Sequence, residues 1–196
     1  MTDEALMTAV RSGDLAKLGT LFERYHAPLF DFLARMTGDR TAAEDMVQDI
    51  FVRVLKYRAT FRDDGSFETW LYRIARNARA DYFRLRTPIE PLEGDVLDRP
   101  EPQPGPALRL QADRERARLK RALMLLREDK RELIVLARYR DMKYEQIAEI
   151  LGIEVGAVKV RVHRAIKELR DVFLQLRDEH PSWPDVKTSG RTFQII

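Results

Sequence analysis

Three clusters of side chains carry whatever chemistry this chain performs. Between residues 155 and 170, Lys159, Arg161, Arg164, Lys167 and Arg170 stand against one acid, Glu168, for a net charge of +4. Along a helix, such cations are attracted to phosphates, and their long forked side chains reach base edges in a major groove. Between residues 70 and 86, five arginines stand against Asp81, again a net +4, with Trp70, Tyr72, Tyr82 and Phe83 interleaved. Rings and guanidinium planes hold unstacked bases while charge holds the phosphates of a single strand. The same rings at helical spacing also suit a core. The third cluster is Glu44, Asp45, Gln48 and Asp49. Three acids and an amide within two turns suit either a solvated face near a helix N-terminus or a docking surface for a basic partner helix.

The elements that position these clusters are all predicted to be helices. Ile147, Ala148 and Leu151 mark the buried face of a short helix, and Gly152 supplies the sharp turn after it. Val158, Val162, Ala165, Ile166 and Leu169 form the inner stripe of a longer second helix, whose outer face is the basic cluster. Helix, glycine turn and basic helix make a helix-turn-helix. Ala148 is small enough for the two helices to cross closely.

The acidic cluster falls on a helix predicted to start with a capping box at Thr41-Ala42-Ala43-Glu44. Its buried stripe is Ala43, Met46, Val47, Ile50, Phe51, Val54 and Leu55. The arginine-aromatic cluster follows a loop over 61–67 and sits on a helix with Trp70 or Leu71, Ile74, Ala75, Ala78 and Tyr82 inward. Before these, Thr2 caps a first helix carrying Leu6, Ala9 and Val10, and Ser12-Gly13-Asp14 breaks it. A second helix carries Leu15, Leu18, Leu21, Phe22 and Tyr25, and Pro28 opens a third with Leu29, Phe32, Leu33 and Met36 inward. His26 is placed at a surface or helix end.

Residues 87–106 break the helical pattern with six prolines and a net charge of −4. They read as an extended tether between two units. Helix resumes near Leu108, with Leu119, Ala122, Leu123 and Leu126 inward. A further helix after Asp129 carries Leu133, Ile134, Leu136, Ala137 and Tyr139. The stretch 178–196 has no periodicity and receives no role.

The chain has 196 residues, no cysteine and three histidines, which excludes disulfides and thiolate zinc sites and argues against a His-rich metal site. No apolar run is long enough for a bilayer and the N-terminus lacks a signal core, so membrane insertion is not expected and a cytoplasmic location is. No cofactor, metal ligand or catalytic residue is expected. A metal-dependent nuclease on Glu44, Asp45 and Asp49 would have no His or Lys beside those acids. A free-standing helix-turn-helix repressor or activator is the alternative; such proteins usually dimerise, and no dimer helix is evident.

The run from Asp39 to Leu55, Asp-Arg-Thr-Ala-Ala-Glu-Asp-Met-Val-Gln-Asp-Ile-Phe-Val-Arg-Val-Leu, resembles region 2.2 of extracytoplasmic-function (group IV) bacterial sigma factors. Residues 67–84 are similar to regions 2.3 and 2.4 of that family, and 126–170 to region 4. The resemblance implies an all-α chain of two small helical domains. Region 2 would span 1–87 and region 4, with the helix-turn-helix, 107–177. The acidic linker 88–106 would thread toward the RNA exit path.

It further implies a non-enzymatic factor that gives core RNA polymerase its promoter recognition and strand opening. Glu44, Asp45, Gln48 and Asp49 would dock on the clamp helices of β′, with the β subunit also a partner. The −10 element would meet Phe61, Arg62, Gly65, Ser66, Trp70, Tyr72, Arg73, Arg76 and Asn77. Among these, the 61–67 loop and Asn77 would receive a flipped base, and Arg73 and Arg76 would hold the non-template strand. The −35 element would meet Glu154, Lys159, Arg161, Arg164 and Lys167. An anti-sigma factor would be a further partner. The chain departs from the family's usual hydroxyl residues at Lys143, which weakens the cap of the first motif helix, and at Ala157 and Val160, which removes hydroxyls that could contact phosphates or bases.

Overall fold

The computed structural model describes residues 1–85 and 106–178, and every regular element among them is helical. Helix α1 spans Asp3–Arg11, with Thr2 Oγ1 accepting from the Ala5 N–H at 3.3 Å as its cap. Gly13, at φ +108°, turns the chain into α2 at Ala16–Thr37. This is one continuous helix, where the sequence predicted two meeting at Pro28. A proline inside a helix costs about 3 kcal/mol. Here Leu21 before it and Leu29, Phe32, Leu33 and Met36 after it lie on one buried face. Each such buried side chain is worth roughly 1.5–3 kcal/mol, so the stripe outweighs the break.

Gly38 at φ +75° closes α2, and helix α3 follows at Arg40–Tyr57. Its cap is Asp39, whose Oδ1 accepts from the Ala42 N–H at 3.0 Å, and not the Thr41 box. Ala42, Ala43, Met46, Val47, Ile50, Phe51 and Val54 are buried along it, while Leu55 is half-buried. A single 3₁₀ turn at Arg58–Thr60 leads to the loop before α4, Phe67–Leu85. Leu71, rather than Trp70, takes the inner position of α4, with Ile74, Ala75 and Ala78.

The remaining helices are α5 (Pro106–Leu125), α6 (Glu128–Ile134), α7 (Tyr144–Leu151) and α8 (Val155–Asp178). A π turn at Val135–Tyr139 extends α6, with the Arg140 N–H reaching the Val135 carbonyl at 3.0 Å. Gly152 at φ +67° makes the turn of the helix-turn-helix, as its residue type predicts. Val158, Val162, Ala165 and Leu169 are buried on α8 and Ile166 is half-buried.

One buried apolar cluster runs through both groups of helices, with α2 against α5, α6 and the π turn, and α4 against α7. Arg131 bridges this seam. Its guanidinium donates to the carbonyls of Met36 (2.6 Å), Met124 (2.7 Å), Leu126 (3.0 Å) and Leu123 (3.1 Å), joining the ends of α2 and α5. Nearby, Arg35 lies 4.0 Å over the Tyr139 ring. A Cβ on Gly38 would meet Met124 Cε at 3.0 Å, so the end of the Met124 side chain of α5 packs directly on this glycine. The predicted linker 88–106 lies outside the described residues except for its last residue, Pro106, which begins α5, and the stretch 179–196 lies outside them too.

Candidate nucleic-acid interface

The helix-turn-helix is built on local bonds. Gln146 Oε1 accepts from the Lys143 N–H at 3.0 Å and so starts α7. Lys143 has no acceptor to return the bond, which is what a hydroxyl there would add. Glu154 is exposed at the start of α8, and its carbonyl accepts from the Val158 N–H at 3.1 Å. Lys159, Arg161, Arg164, Lys167 and Arg170 are all exposed on the outer face of α8. Glu168, the one acid among them, is ion-paired with Lys130 of α6. Positive charge is thereby left to dominate that face.

Two neighbours of this face were not legible in sequence. Arg138, on the π turn, and Tyr144, at the start of α7, line a groove with Lys159, Val160, His163 and Arg164. Arg138 lies twenty-one positions before Lys159, so no helical spacing connects them. On the other side, Glu149, Glu154, Ala157 and Arg161 line the groove between α7 and α8.

The arginine-aromatic cluster divides in two. Ser66, Trp70, Arg73 and Asn77 recur at i, i+4, i+7 and i+11, and so share one side of α4. Arg73 and Asn77 are exposed, while Ser66, Trp70 and Arg76 are half-buried. Ser66 Oγ accepts from the Thr69 N–H at 3.4 Å and caps the helix. Phe61 and Tyr72, by contrast, lie inside. Phe61 is 2% exposed and packs edge-on against Phe67 and Trp70, at centroid distances of 6.2 and 5.5 Å. Tyr72 is fully buried, edge-on to Phe32 at 5.1 Å, and burial pushes its hydroxyl pKa up. Both residues were expected at the −10 element; in this arrangement their rings are covered by the core.

The 61–67 loop is held by charge. Asp63 accepts from Arg11 Nη2 at 2.6 and 2.8 Å and from Thr8 Oγ1 at 2.9 Å, while Arg11 Nη1 donates to the Phe61 carbonyl at 2.7 Å. These bonds from Arg11 and Thr8 hold the Asp63 carboxyl below its usual pKa. Arg62 makes a two-pronged pair with Asp64, at 2.9 and 3.0 Å, within the loop. The Gly65 N–H closes the turn onto the Arg62 carbonyl at 3.1 Å.

On α3, Glu44, Asp45 and Gln48 are exposed and bring an acidic patch to the surface. Asp49 differs, being half-buried and accepting from Arg53 Nε at 2.7 Å. Arg53 Nη1 also reaches Asp81 of α4 at 2.6 Å, so Asp49 is tied into the bracket between α3 and α4. Among the described residues no cluster of acids and histidines is arranged to hold a metal ion, and no helix is long and apolar enough to cross a membrane.

Known proteins match this chain along both groups of helices. Sigma-70 region 2 matches residues 21–88, and Sigma-70 region 4 matches 116–169. The RNA polymerase sigma factor YlaC of Bacillus subtilis is 30% identical over 167 residues, covering 81% of this chain and 93% of that protein. The ECF RNA polymerase sigma factor SigE of Mycolicibacterium smegmatis is 36% identical over 177 residues, covering 87% of this chain and 68% of that protein. Among solved structures, CnrH in complex with the cytosolic domain of CnrY aligns with a TM-score of 0.67 at 30% identity, covering 88% of this chain and 97% of that one. The sigma factor RpoE in complex with the anti-sigma factor NepR from Bartonella quintana aligns at 0.63 and 25% identity, covering 80% and 96%. With both regions matched in order and relatives covered over most of their length, the chain belongs to the extracytoplasmic-function family of RNA polymerase sigma factors.

Proposed function

We propose that this sigma factor divides promoter recognition between two faces and polymerase docking on a third. The −35 element meets Lys159, Arg161, Arg164 and Lys167 of α8, with Glu154 at the start of that helix. The opened −10 strand lies along Arg62, Gly65, Ser66, Trp70, Arg73, Arg76 and Asn77. The β′ clamp helices of core polymerase take the patch of Glu44, Asp45, Gln48 and Asp49, and the β subunit is a further contact. The factor acts in initiation rather than as a catalyst, and an anti-sigma factor is its regulator. The anti-sigma factor NepR bound to the aligned RpoE of Bartonella quintana supports that last point.

The observation that carries the reading is the pairing, in one chain, of two outward cationic helices with different companions. On α8 the companion is a helix-turn-helix frame suited to duplex DNA, and on α4 it is Trp70 and Asn77, suited to an unpaired strand. The test is transcription from a promoter library by core polymerase with and without the protein. Sequence-specific transcripts that need the added protein support the reading. Duplex binding by the protein alone, with no transcripts from the mixture, would leave a free-standing repressor or activator in its place.

A further inference from the structure

The outward face of α8 is mostly charged, but near its start two apolar side chains stand among the cations. Val160 is 48% exposed, and Ala157, one turn before it, is half-buried. Ala157, Val160, Arg161 and Arg164 recur at i, i+3, i+4 and i+7, so all four share one side of the helix. The stripe runs between two grooves. Val160 and Arg164 line the groove that holds Tyr144, while Ala157 and Arg161 line the one that holds Glu149. Val160 is also the sixth residue of α8, close to its N-terminus, and that end of a recognition helix is the one that meets base edges.

A single exposed valine is ordinary on a protein surface. This one has an apolar neighbour on the same side and guanidinium groups that draw the stripe toward phosphates. In a major groove its methyl groups have one matching partner. The base edges there present hydrogen-bond donors and acceptors, and the 5-methyl group of thymine is the apolar exception. A polar edge set against Val160 would lose its water and gain no bond in return, which is costly. We propose that Val160, backed by Ala157, reads a thymine of the −35 element through contact with its 5-methyl group, while Arg161 and Arg164 hold the duplex on either side. This rests on the placement of α8 at the −35 element. It assigns a T·A pair to the step facing Val160 and rejects cytosine there, whose N4 amino group would be left unpaired.

Uracil tests the contact, because it differs from thymine in the major groove by that methyl group alone. Holoenzyme first selects duplexes from a promoter library randomised across the −35 element. One thymine of the selected element, on either strand, should lose about fourfold in holoenzyme binding when replaced by uracil, the scale of burying one methyl group. Val160→Ser holoenzyme should bind the thymine and uracil duplexes alike and should no longer select thymine at that step. The side chain is exposed, so this variant should keep the parent's melting temperature. If no thymine responds to uracil, or if the response persists in Val160→Ser, methyl readout by Val160 is overturned. Arg161→Ala with Arg164→Ala locates the fault. A changed −35 selection in that variant would leave α8 in the groove and remove only the role of Val160. An unchanged selection, or no −35 selection by the parent, would overturn the placement of α8 and the methyl contact with it.

Discussion

Arg131 of α6 donates from Nη1 to the carbonyl of Met36 at the end of α2, at 2.6 Å. The same side chain takes three more carbonyls around the end of α5, and burial lowers its pKa. A half-buried cation here is anchored by main-chain dipoles rather than by a carboxylate. Replacing it by Lys keeps the charge but loses the planar fork that reaches several carbonyls at once. Arg131→Lys should lower stability by about 2–4 kcal/mol, since bonds to a charged group are worth roughly 1.5–3 kcal/mol each and cannot all be remade. Urea unfolding of the full chain measures this. A loss below 0.5 kcal/mol, on the scale of ordinary surface substitutions, would show that the seam does not depend on the fork.

The acidic face of α3 separates docking from folding. Asp45 is exposed, whereas Asp49 holds Arg53. Asp45→Lys should leave the melting temperature unchanged and weaken binding to core polymerase by several kcal/mol, on the order of a reversed contact at a desolvated interface. Asp49→Lys should weaken binding too, but also lower stability by about 0.2–1 kcal/mol through loss of its ion pair. Titration of fluorescent protein with core polymerase, beside thermal melts, distinguishes the two. Equal binding by Asp45→Lys and the parent would make this patch a solvated surface only.

On α8, position decides the kind of loss. Arg161→Ala and Arg164→Ala should each cost about 1–3 kcal/mol wherever the side chain reads a base, with specificity relaxed at that base pair. A side chain that contacts only phosphate should instead weaken all sequences alike and make the salt dependence shallower. Arg138→Ala, in the groove beside Lys159 and Arg164, should show this second pattern. Holoenzyme binding to promoter duplexes at several salt concentrations reads both quantities.

Glu132 sets a pH signature. Burial raises its pKa above the ordinary 4.5, and the neighbouring Arg79 and Arg76 oppose that shift without cancelling it. The folded chain therefore binds this proton more readily than the unfolded chain does. Its contribution to stability is fully present below about pH 4.5 and is lost as pH rises through the folded value. Asp63 and Asp81 act with the opposite sign, because arginine partners hold their carboxyls low and their contribution is lost as pH falls. Glu132→Gln should remove only the first trend, so its stability relative to the parent should improve as pH rises above 4.5. Urea unfolding at a series of pH values checks the sign. A difference that is flat with pH would mean Glu132 titrates as an ordinary carboxyl.

Local pattern made much of this legible. The buried stripes of α3 and α8 and the turn at Gly152 follow from spacing and residue type, because each involves neighbours a few positions apart. Pro28 misled because its local cost is offset by packing against distant helices. Thr41 lost the cap to Asp39, two residues earlier, since both residue types can cap and only the path of the chain from Gly38 selects between them. Phe61 and Tyr72 flank the cationic stripe in sequence, yet their side chains turn into the core. The seam was the least legible part. Arg79, Arg131 and Glu132 carry formal charge and so read as surface residues, although each is half-buried or buried by a partner that pattern does not connect to it.

The π turn after α6 leaves the chain one residue longer than a regular helix would need to cover the same axial distance. Each residue of an α-helix advances by about 100° around the axis, so that surplus resets the bearing of all that follows. Tyr139 faces Arg35 of α2, Arg140 faces Glu68 of α4 at 3.8 Å, and Arg138 faces the groove beside α8. Deleting one residue between Val135 and Tyr139 would swing these three by nearly a third of a revolution. The chain's length at this turn is thus itself a coordinate of the assembly: it aims three side chains in three directions, and no substitution of type could restore that aim.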